Sequence, residues 1–514
     1  MAHPGLPMPD VPAPTQEDSN SRRVLRGFVA MTASSFAVMA VQLGYAAITS
    51  RLLPPSAFGA YAVALSGVGF IGMLSGSSLG LAAARRDHES VQLDRSLLTL
   101  ALIWGCATGL AAILLAPFWG RIWGVPESTR VTQILALGIP LSALSAVLAG
   151  ILRRGGRTSA VAGRTALGQL AGMAVGLSTI LSLKTPWSLG VASVAALMVT
   201  TVLMSACLPH DRLKPARPTS NSINDSLYAV KFAGMNLIRQ GAVTFPLWSV
   251  GKFVGADALG AVNRATTLVT LPLETATRGL SYSLFPEMRP GGPASRSPTA
   301  LTDLMILVTW AAVILGGTGY FLAAPVVLLV LGSQWTAIAP LAGWAVLLGL
   351  IPAIGTPLGS TLEALGHFKL TLWGFVAYVP AALAGAVVTW AFDTPVPALV
   401  GLVVGTALQA TAFIVVAGRL GILEISDYLT GVRGVFLTQA AFAIILGGVS
   451  MSGVDGTQRI LWLCGIVLSE FTLLWIFRHR TQFGRVAATY RLPGFRRRSS
   501  RPRVPLRRRR GISR

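Results

Sequence analysis

Five basic residues stand inside stretches that are otherwise apolar: Arg164, Lys231, Arg239, Arg264 and Arg278. A cation near the centre of a bilayer costs at least about 2.5–3.5 kcal/mol, so such a side chain faces a cavity, meets a partner or reaches for the headgroups. The chemistry open to an arginine in that setting is anion recognition. Its planar fork of donors fits phosphate oxygens and stays charged at any relevant pH. Arg264, Thr267, Leu271, Thr275 and Arg278 follow one another at steps of three and four, which places them near one helical face. Glu274, four residues before Arg278, is positioned to pair with it. Arg264 and Arg239 then remain as the leading phosphate candidates, with Arg164 and Arg278 as further substrate-binding candidates and Glu274 as the coupling or ion-pair residue. Structural roles compete at most of these positions. Lys231 lies one turn into its stretch and can snorkel. Arg278 can be a purely structural partner of Glu274. Arg264 and Arg164 lie toward the ends of their stretches, where an interfacial role competes. Arg239, a little under halfway in, has the weakest competitor.

Other chemistries find few residues. The five histidines (His3, His88, His210, His367 and His479) show no ligand spacing, and Cys106, Cys207 and Cys464 sit singly in apolar sequence, so neither a metal site nor a disulfide framework is expected. There is no G-x-x-x-x-G-K-[ST] phosphate loop, and no Ser-His-Asp or Cys-His set can be assembled. An enzyme and a cofactor are therefore not expected.

The elements that hold the arginines follow from composition. The chain is 53% hydrophobic and 12% charged, with mean hydropathy +0.64. Its apolar runs reach about 20 residues, the length of a helix that crosses hydrocarbon. The fold class is all-α and polytopic, with about 14 transmembrane helices at 27–49, 58–84, 96–118, 131–152, 160–182, 187–208, 228–250, 258–285, 303–324, 338–362, 370–391, 396–417, 433–450 and 460–477. With the N-terminus in the cytoplasm, lysine and arginine concentrate on the inner side, as the positive-inside rule requires. The Arg-rich stretch after Phe477 then falls inside as well. It is expected to lie on anionic lipid. Nucleic-acid binding is not expected, because no aromatic-basic module accompanies the arginines. On this map spans one to six carry no acidic residue, with Asp87, Glu89, Asp94 and Glu127 in loops.

A repeat organises the spans. "SRLLPPSAFGAYAVA", Ser50 to Ala64, closes the first span and opens the second; "GKFVGADALGAV", Gly251 to Val262, does the same for the seventh and eighth. Arg51 aligns with Lys252, Phe58 with Leu259, Gly59 with Gly260 and Ala60 with Ala261. Pro117 matches Pro325 more loosely. An even number of spans per copy makes the repeat parallel, with its pseudo-twofold axis along the membrane normal. The expected organisation is an N-terminal segment 1–21, a six-helix lobe 22–208, a linker 209–226, a second six-helix lobe 227–418, two extra helices in 419–477 and the Arg-rich tail 478–514. Gly59 and Gly260 are expected at close helix contacts. Pro140, Pro246, Pro272, Pro352 and Pro357 are expected bending points.

These stretches, together with "VGADALGAVNRATTLVTLP", "LFPEM" and "APVVLLVLGSQWTAIAPLAGWAVLLGLIPAIGTPLGSTLEALGHFKLTL", resemble the polysaccharide-transport (Wzx-type) flippases of the multidrug/oligosaccharidyl-lipid/polysaccharide exporter superfamily, over roughly Val24 to Phe477. The resemblance implies two six-helix lobes around a central cavity and alternating access. The implied substrate is a polyprenyl-pyrophosphate-linked glycan, moved across the inner membrane for capsule, O-antigen or exopolysaccharide synthesis, with a glycan polymerase as a further partner. Two alternatives stay open: a cation-coupled multidrug exporter of the same superfamily, and a membrane polysaccharide polymerase or glycosyltransferase. The lipid II flippase branch typically carries an Arg-Asp pair in its first span. Here that region reads Gln42-Leu43-Gly44-Tyr45-Ala46, without charge.

Overall fold

The computed structural model describes residues 39–74, 79–80, 83, 90–218, 237, 240–269, 298–365, 367–451, 461–463, 465–470 and 472. Among these the chain is helical, without a strand. In chain order the helices are α1 (39–52), α2 (Pro55–Leu74), α3 (Val91–Trp123), α4 (Ser128–Ala136), α5 (Gly138–Arg154), α6 (Thr158–Leu183), α7 (Trp187–Ser205) and the short α8 (His210–Leu213). Then come α9 (240–254), α10 (256–269), α11 (Pro298–Leu331), a 3₁₀ turn Ser333–Ile338, α12 (Ala339–Ala364), α13 (Phe368–Phe392), α14 (Val396–Arg419) and α15 (Ile425–Met451). Ten spans are long and apolar enough to cross a membrane among the described residues. They coincide with ten of the fourteen expected spans. The first, seventh, eighth and fourteenth extend beyond the described residues, leaving α1, α9, α10 and the apolar helix Leu461–Glu470 as their described parts.

Local chemistry sets several boundaries. Ser90 caps α3 by accepting a hydrogen bond from the Leu93 amide at 3.3 Å, and Gly124, at φ 69°, ends it. Pro140 cannot donate to the carbonyl one turn back, and the chain breaks between α4 and α5 just before it. In α9, Pro246 precedes a π-helical turn, Val250–Val254, that widens the helix before it ends at Gly255. Pro352 and Pro357 lie inside α12, which continues past both. Pro272 lies outside the described residues.

The described chain falls into two compact units. The first draws on Met1–Leu284, Ala323–Gly349 and Phe375–Leu408. One of its cores joins Leu97 and Ala101 of α3, Val147, Ile151 and Leu152 of α5, and Met204 of α7. Small residues bring α6 against α7: Gly168, Gly172 and Gly176, four apart, leave no space for a Cβ against Thr200, Ala196 and Ala192. The second unit draws on Phe285–Leu322, Leu350–Gly374 and Gln409–Arg514. There Trp310 donates to the Gly431 carbonyl at 2.9 Å, the Thr309 and Tyr428 hydroxyls meet at 2.9 Å, and Phe413 packs against Gly355, Gly359 and Gly374.

Within the first unit the two copies of the repeated turn cross one another. A Cβ on Gly59 would overlap the Ala256 carbonyl, and a Cβ on Gly260 would overlap the Pro55 carbonyl. The sequence alignment pairs Gly59 with Gly260 and Pro55 with Ala256, so each copy presents its glycine to the same backbone position of the other. That reciprocity is what a pseudo-twofold axis between the copies requires. It recurs outward. The Arg51 guanidinium donates to the Leu329 carbonyl at 3.3 Å and its stem lies beside Gly332, while the Lys252 stem lies beside Gly124. The Trp335 indole donates to the Ser50 carbonyl at 2.8 Å, and Trp123 covers Gly251, the counterpart of Ser50, where an added Cβ would meet its ring at 3.0 Å.

Candidate functional site

Arg264, in α10, is 7% exposed. Its Nη2 donates to Thr49 Oγ1 at 2.9 Å, and its guanidinium carbon lies 3.7 Å from the centre of the Phe58 ring. The Thr49 hydroxyl in turn donates to the Ala46 carbonyl at 3.2 Å. Nearby in sequence on α2, the Tyr61 hydroxyl meets Ser193 Oγ of α7 at 2.8 Å. No carboxylate among the described residues pairs with Arg264, and its buried Nε has no hydrogen-bond partner among them. The Tyr45 and Ser50 hydroxyls are likewise buried and unpartnered.

The balance of terms is unusual for a structural arginine. Burying a cation costs several kcal/mol. Against this stand one charge-assisted hydrogen bond of about 1.5–3 kcal/mol and a cation–π contact of about 2 kcal/mol. The guanidinium keeps unfilled donor capacity in a low-dielectric setting, which is the condition in which it binds an anion most strongly.

α1 and α2 bring this environment together. Gln42, Tyr45 and Thr49 follow at steps of three and four on α1, and Gln42 Nε2 donates to Gln169 Oε1 of α6 at 2.6 Å. Phe58 comes from the first turn of α2. The other expected site residues are placed differently. Arg164 is half-buried on α6, and its Nη1 donates at 3.4 Å to the Ala160 carbonyl of its own helix. The described contacts do not bring it to Arg264. Arg239, Glu274 and Arg278 lie outside the described residues.

A second charged cluster sits at the opposite end of the first bundle. Asp94, fully buried, was expected in a loop; it stands in the first turn of α3, within a membrane-spanning helix. Arg154, at the end of α5, gives one nitrogen to both Asp94 oxygens at 2.9 and 2.8 Å, and Arg212 of α8 reaches Asp94 at 3.3 Å. The Ser90 cap, the positive helix N-terminus and two guanidiniums make burial of this carboxylate tolerable. The segment after α7 is strapped over the same end. Ser96 Oγ donates to the Arg217 carbonyl at 3.1 Å, the Ala216 amide to Thr99 Oγ1 at 3.1 Å, Arg157 to the Cys207 carbonyl at 3.2 Å, and Arg95 to the Asp211 carbonyl. Lys214 hydrogen-bonds Asp211 at 2.6 Å and holds that exposed carboxyl below its ordinary range, with Arg95 adding in the same direction.

Nothing in the sequence map marked Asp94 for pairing. The partners of Arg264 did leave a trace: the two repeat copies differ at Phe58, where the other has Leu259, and at Arg264, where the other has Val63.

Comparison with known proteins follows this geometry. A family described as "Polysaccharide biosynthesis protein" matches residues 48–340. The succinoglycan biosynthesis transport protein ExoT of Rhizobium meliloti (strain 1021) is 25% identical over 402 residues, 76% of this chain and 78% of that protein. The teichuronic acid biosynthesis protein TuaB of Bacillus subtilis (strain 168) is 24% identical over 243 residues, 44% of this chain and 47% of that protein. In fold, the chain resembles the lipid II flippase MurJ in an inward closed conformation, with TM-score 0.70 and 10% identity over 88% of this chain and 99% of that one. It also resembles an inward-facing multidrug resistance MATE family transporter, with TM-score 0.56 and 16% identity over 76% of this chain and 98% of that one.

Proposed function

Because the chain belongs to the polysaccharide biosynthesis protein family, we propose that it moves an undecaprenyl-pyrophosphate-linked oligosaccharide across the inner membrane by alternating access. The cargo then feeds capsule, O-antigen or exopolysaccharide synthesis. Arg264 takes the pyrophosphate, with Arg239, Arg164 and Arg278 as further cationic contacts and Glu274 as a coupling or ion-pair residue. The lipid tail stays in the bilayer. Both termini are cytoplasmic, the lobes are residues 22–208 and 227–418, and the Arg-rich tail rests on anionic lipid, where a glycan polymerase can meet it.

One observation carries the reading: a buried arginine that meets a hydroxyl and a ring but no carboxylate among the described residues. The cation-coupled alternative needs an acidic residue free to bind and release a cation. Asp94, the buried carboxylate of the first unit among the described residues, is already neutralised by Arg154 and Arg212.

The test is export. Arg264→Gln, present in the membrane at the normal level, is expected to abolish surface glycan, and Arg264→Lys to retain a fraction of it. Full export by Arg264→Gln removes Arg264 from the site.

A further inference from the structure

We infer that Arg264 is the release of a clasp formed by the two crossed turns, and that a lipid-borne pyrophosphate bound at Arg264 loosens it. This rests on the reading of Arg264 as the anion site. The clasp is the set of reciprocal contacts already described: Gly59 on the Ala256 carbonyl and Gly260 on the Pro55 carbonyl, Arg51 beside Gly332 and Lys252 beside Gly124, Trp335 on Ser50 and Trp123 on Gly251. Each contact in one copy is answered in the other, and together they hold one end of the bundle shut.

Arg264 breaks the pattern. Its counterpart in the first copy is Val63, and the counterpart of its ring partner Phe58 is Leu259. It also touches the clasp on both flanks of a single turn. Thr49 immediately precedes Ser50, whose carbonyl accepts from both Trp335 and Gln334. Phe58 immediately precedes Gly59, and its ring lies 5.4 Å from that of Trp335. One guanidinium thus braces the start and the end of the α1–α2 turn against the residues that grip it.

The brace is weak by design of its partners. A neutral hydroxyl and a ring face hold the cation, while Nε stays buried and unpartnered. A phosphate brings a full negative charge to the guanidinium, and its oxygens can accept from the planar fork two at a time, which a single hydroxyl cannot. A pyrophosphate therefore draws the guanidinium off Thr49 and Phe58, and the turn loses support on both sides at once. In this scheme the cargo itself supplies the signal to open that end.

Cross-linking reads the clasp directly. Arg51 and Leu329 meet across it and both are exposed. In the full chain, with Cys106, Cys207 and Cys464 replaced by alanine, Arg51→Cys and Leu329→Cys are joined by a short bifunctional thiol reagent in lipid nanodiscs. The probe is undecaprenyl pyrophosphate, whose binding is measured separately by calorimetry. The expected result is several-fold slower cross-linking with probe, and a rate indifferent to probe once Arg264→Gln is added. Phe58→Leu, which copies the other repeat and keeps the arginine, is expected to slow cross-linking without probe and to shrink the probe's effect. Binding that is lost in Arg264→Gln, with an unchanged cross-linking rate in the parent, overturns the release while leaving the anion site standing. A probe that does not bind, or binds Arg264→Gln as tightly as the parent, overturns both.

Discussion

Asp94 accepts with both carboxylate oxygens from a single nitrogen of Arg154, at 2.9 and 2.8 Å, in a pair that water scarcely reaches. The two residues come from opposite ends of different helices: Asp94 opens α3 and Arg154 closes α5. The pair therefore locks the register of two long apolar helices whose remaining contacts are non-directional. Removing one partner leaves the other buried and uncompensated. Asp94→Ala is expected to destabilise the protein by about 3–5 kcal/mol, read as thermal unfolding in detergent. Arg212→Ala removes a longer and wetter contact and is expected to cost about 1 kcal/mol or less. Equal losses for the two would show that Arg212, not Arg154, carries the charge balance.

Gly59 and Gly260 are each expected to reject a methyl group. Gly59→Ala and Gly260→Ala drive a Cβ into a backbone carbonyl that cannot rotate away, an overpacking cost of about 1–3 kcal/mol. Because the two contacts are reciprocal, the losses in thermal stability should be similar. A neutral Gly260→Ala beside a damaging Gly59→Ala would contradict the crossed geometry.

Phe58 is expected to act through the face of its ring. Phe58→Leu keeps apolar volume but loses the cation–π contact, worth about 0.5–2 kcal/mol. Phe58→Trp retains it wherever the larger ring is accommodated. Export and thermal stability of the leucine variant should both fall. An unchanged leucine variant would mean that the ring serves only to fill space.

The strap after α7 has a defined response to pH. Lys214 lowers the Asp211 pKa, so the contribution of this pair is complete above the ordinary carboxylate range and is lost as pH falls through the lowered value. Protection of the Ala216 amide, corrected for intrinsic exchange, is therefore expected to stay flat from neutral to mildly acidic pH and to decline only below it. Lys214→Gln should move that decline upward. A loss of protection already near neutrality would assign the strap to another group.

How far these sites were legible in the sequence depends on the kind of residue. Hydropathy located ten spans, because a run of apolar side chains has no other use at that length. The repeat was legible as well: Gly59 and Gly260 align in sequence and then meet in space, since a glycine kept for close approach must have something to approach. Arg264 stood out as a charge in apolar sequence. Its neighbours left only the Phe58/Leu259 difference between the two repeat copies, because Thr49 and Phe58 lie about 200 residues away and a hydroxyl or a ring in a membrane helix announces nothing by itself. Asp94 was misplaced for a related reason. Flanked by Arg95 and the polar run before Val91, it reads as loop, and a hydropathy window cannot distinguish a solvated aspartate from one neutralised by arginines more than fifty residues further on. Arg164 shows the converse, a basic residue in an apolar stretch that finds a carbonyl of its own helix.

The crossing of the two turns has a consequence for how such a chain can be divided. A contact in which each copy offers the same glycine to the same carbonyl of the other is the isologous interface of a symmetric dimer, written once into a single polypeptide. Two separately translated halves would carry mating surfaces that are nearly self-complementary. The correct pairing, unlike a half joined to its own twin, brings together the Phe58 ring that only the first copy supplies and the Arg264 guanidinium that only the second supplies.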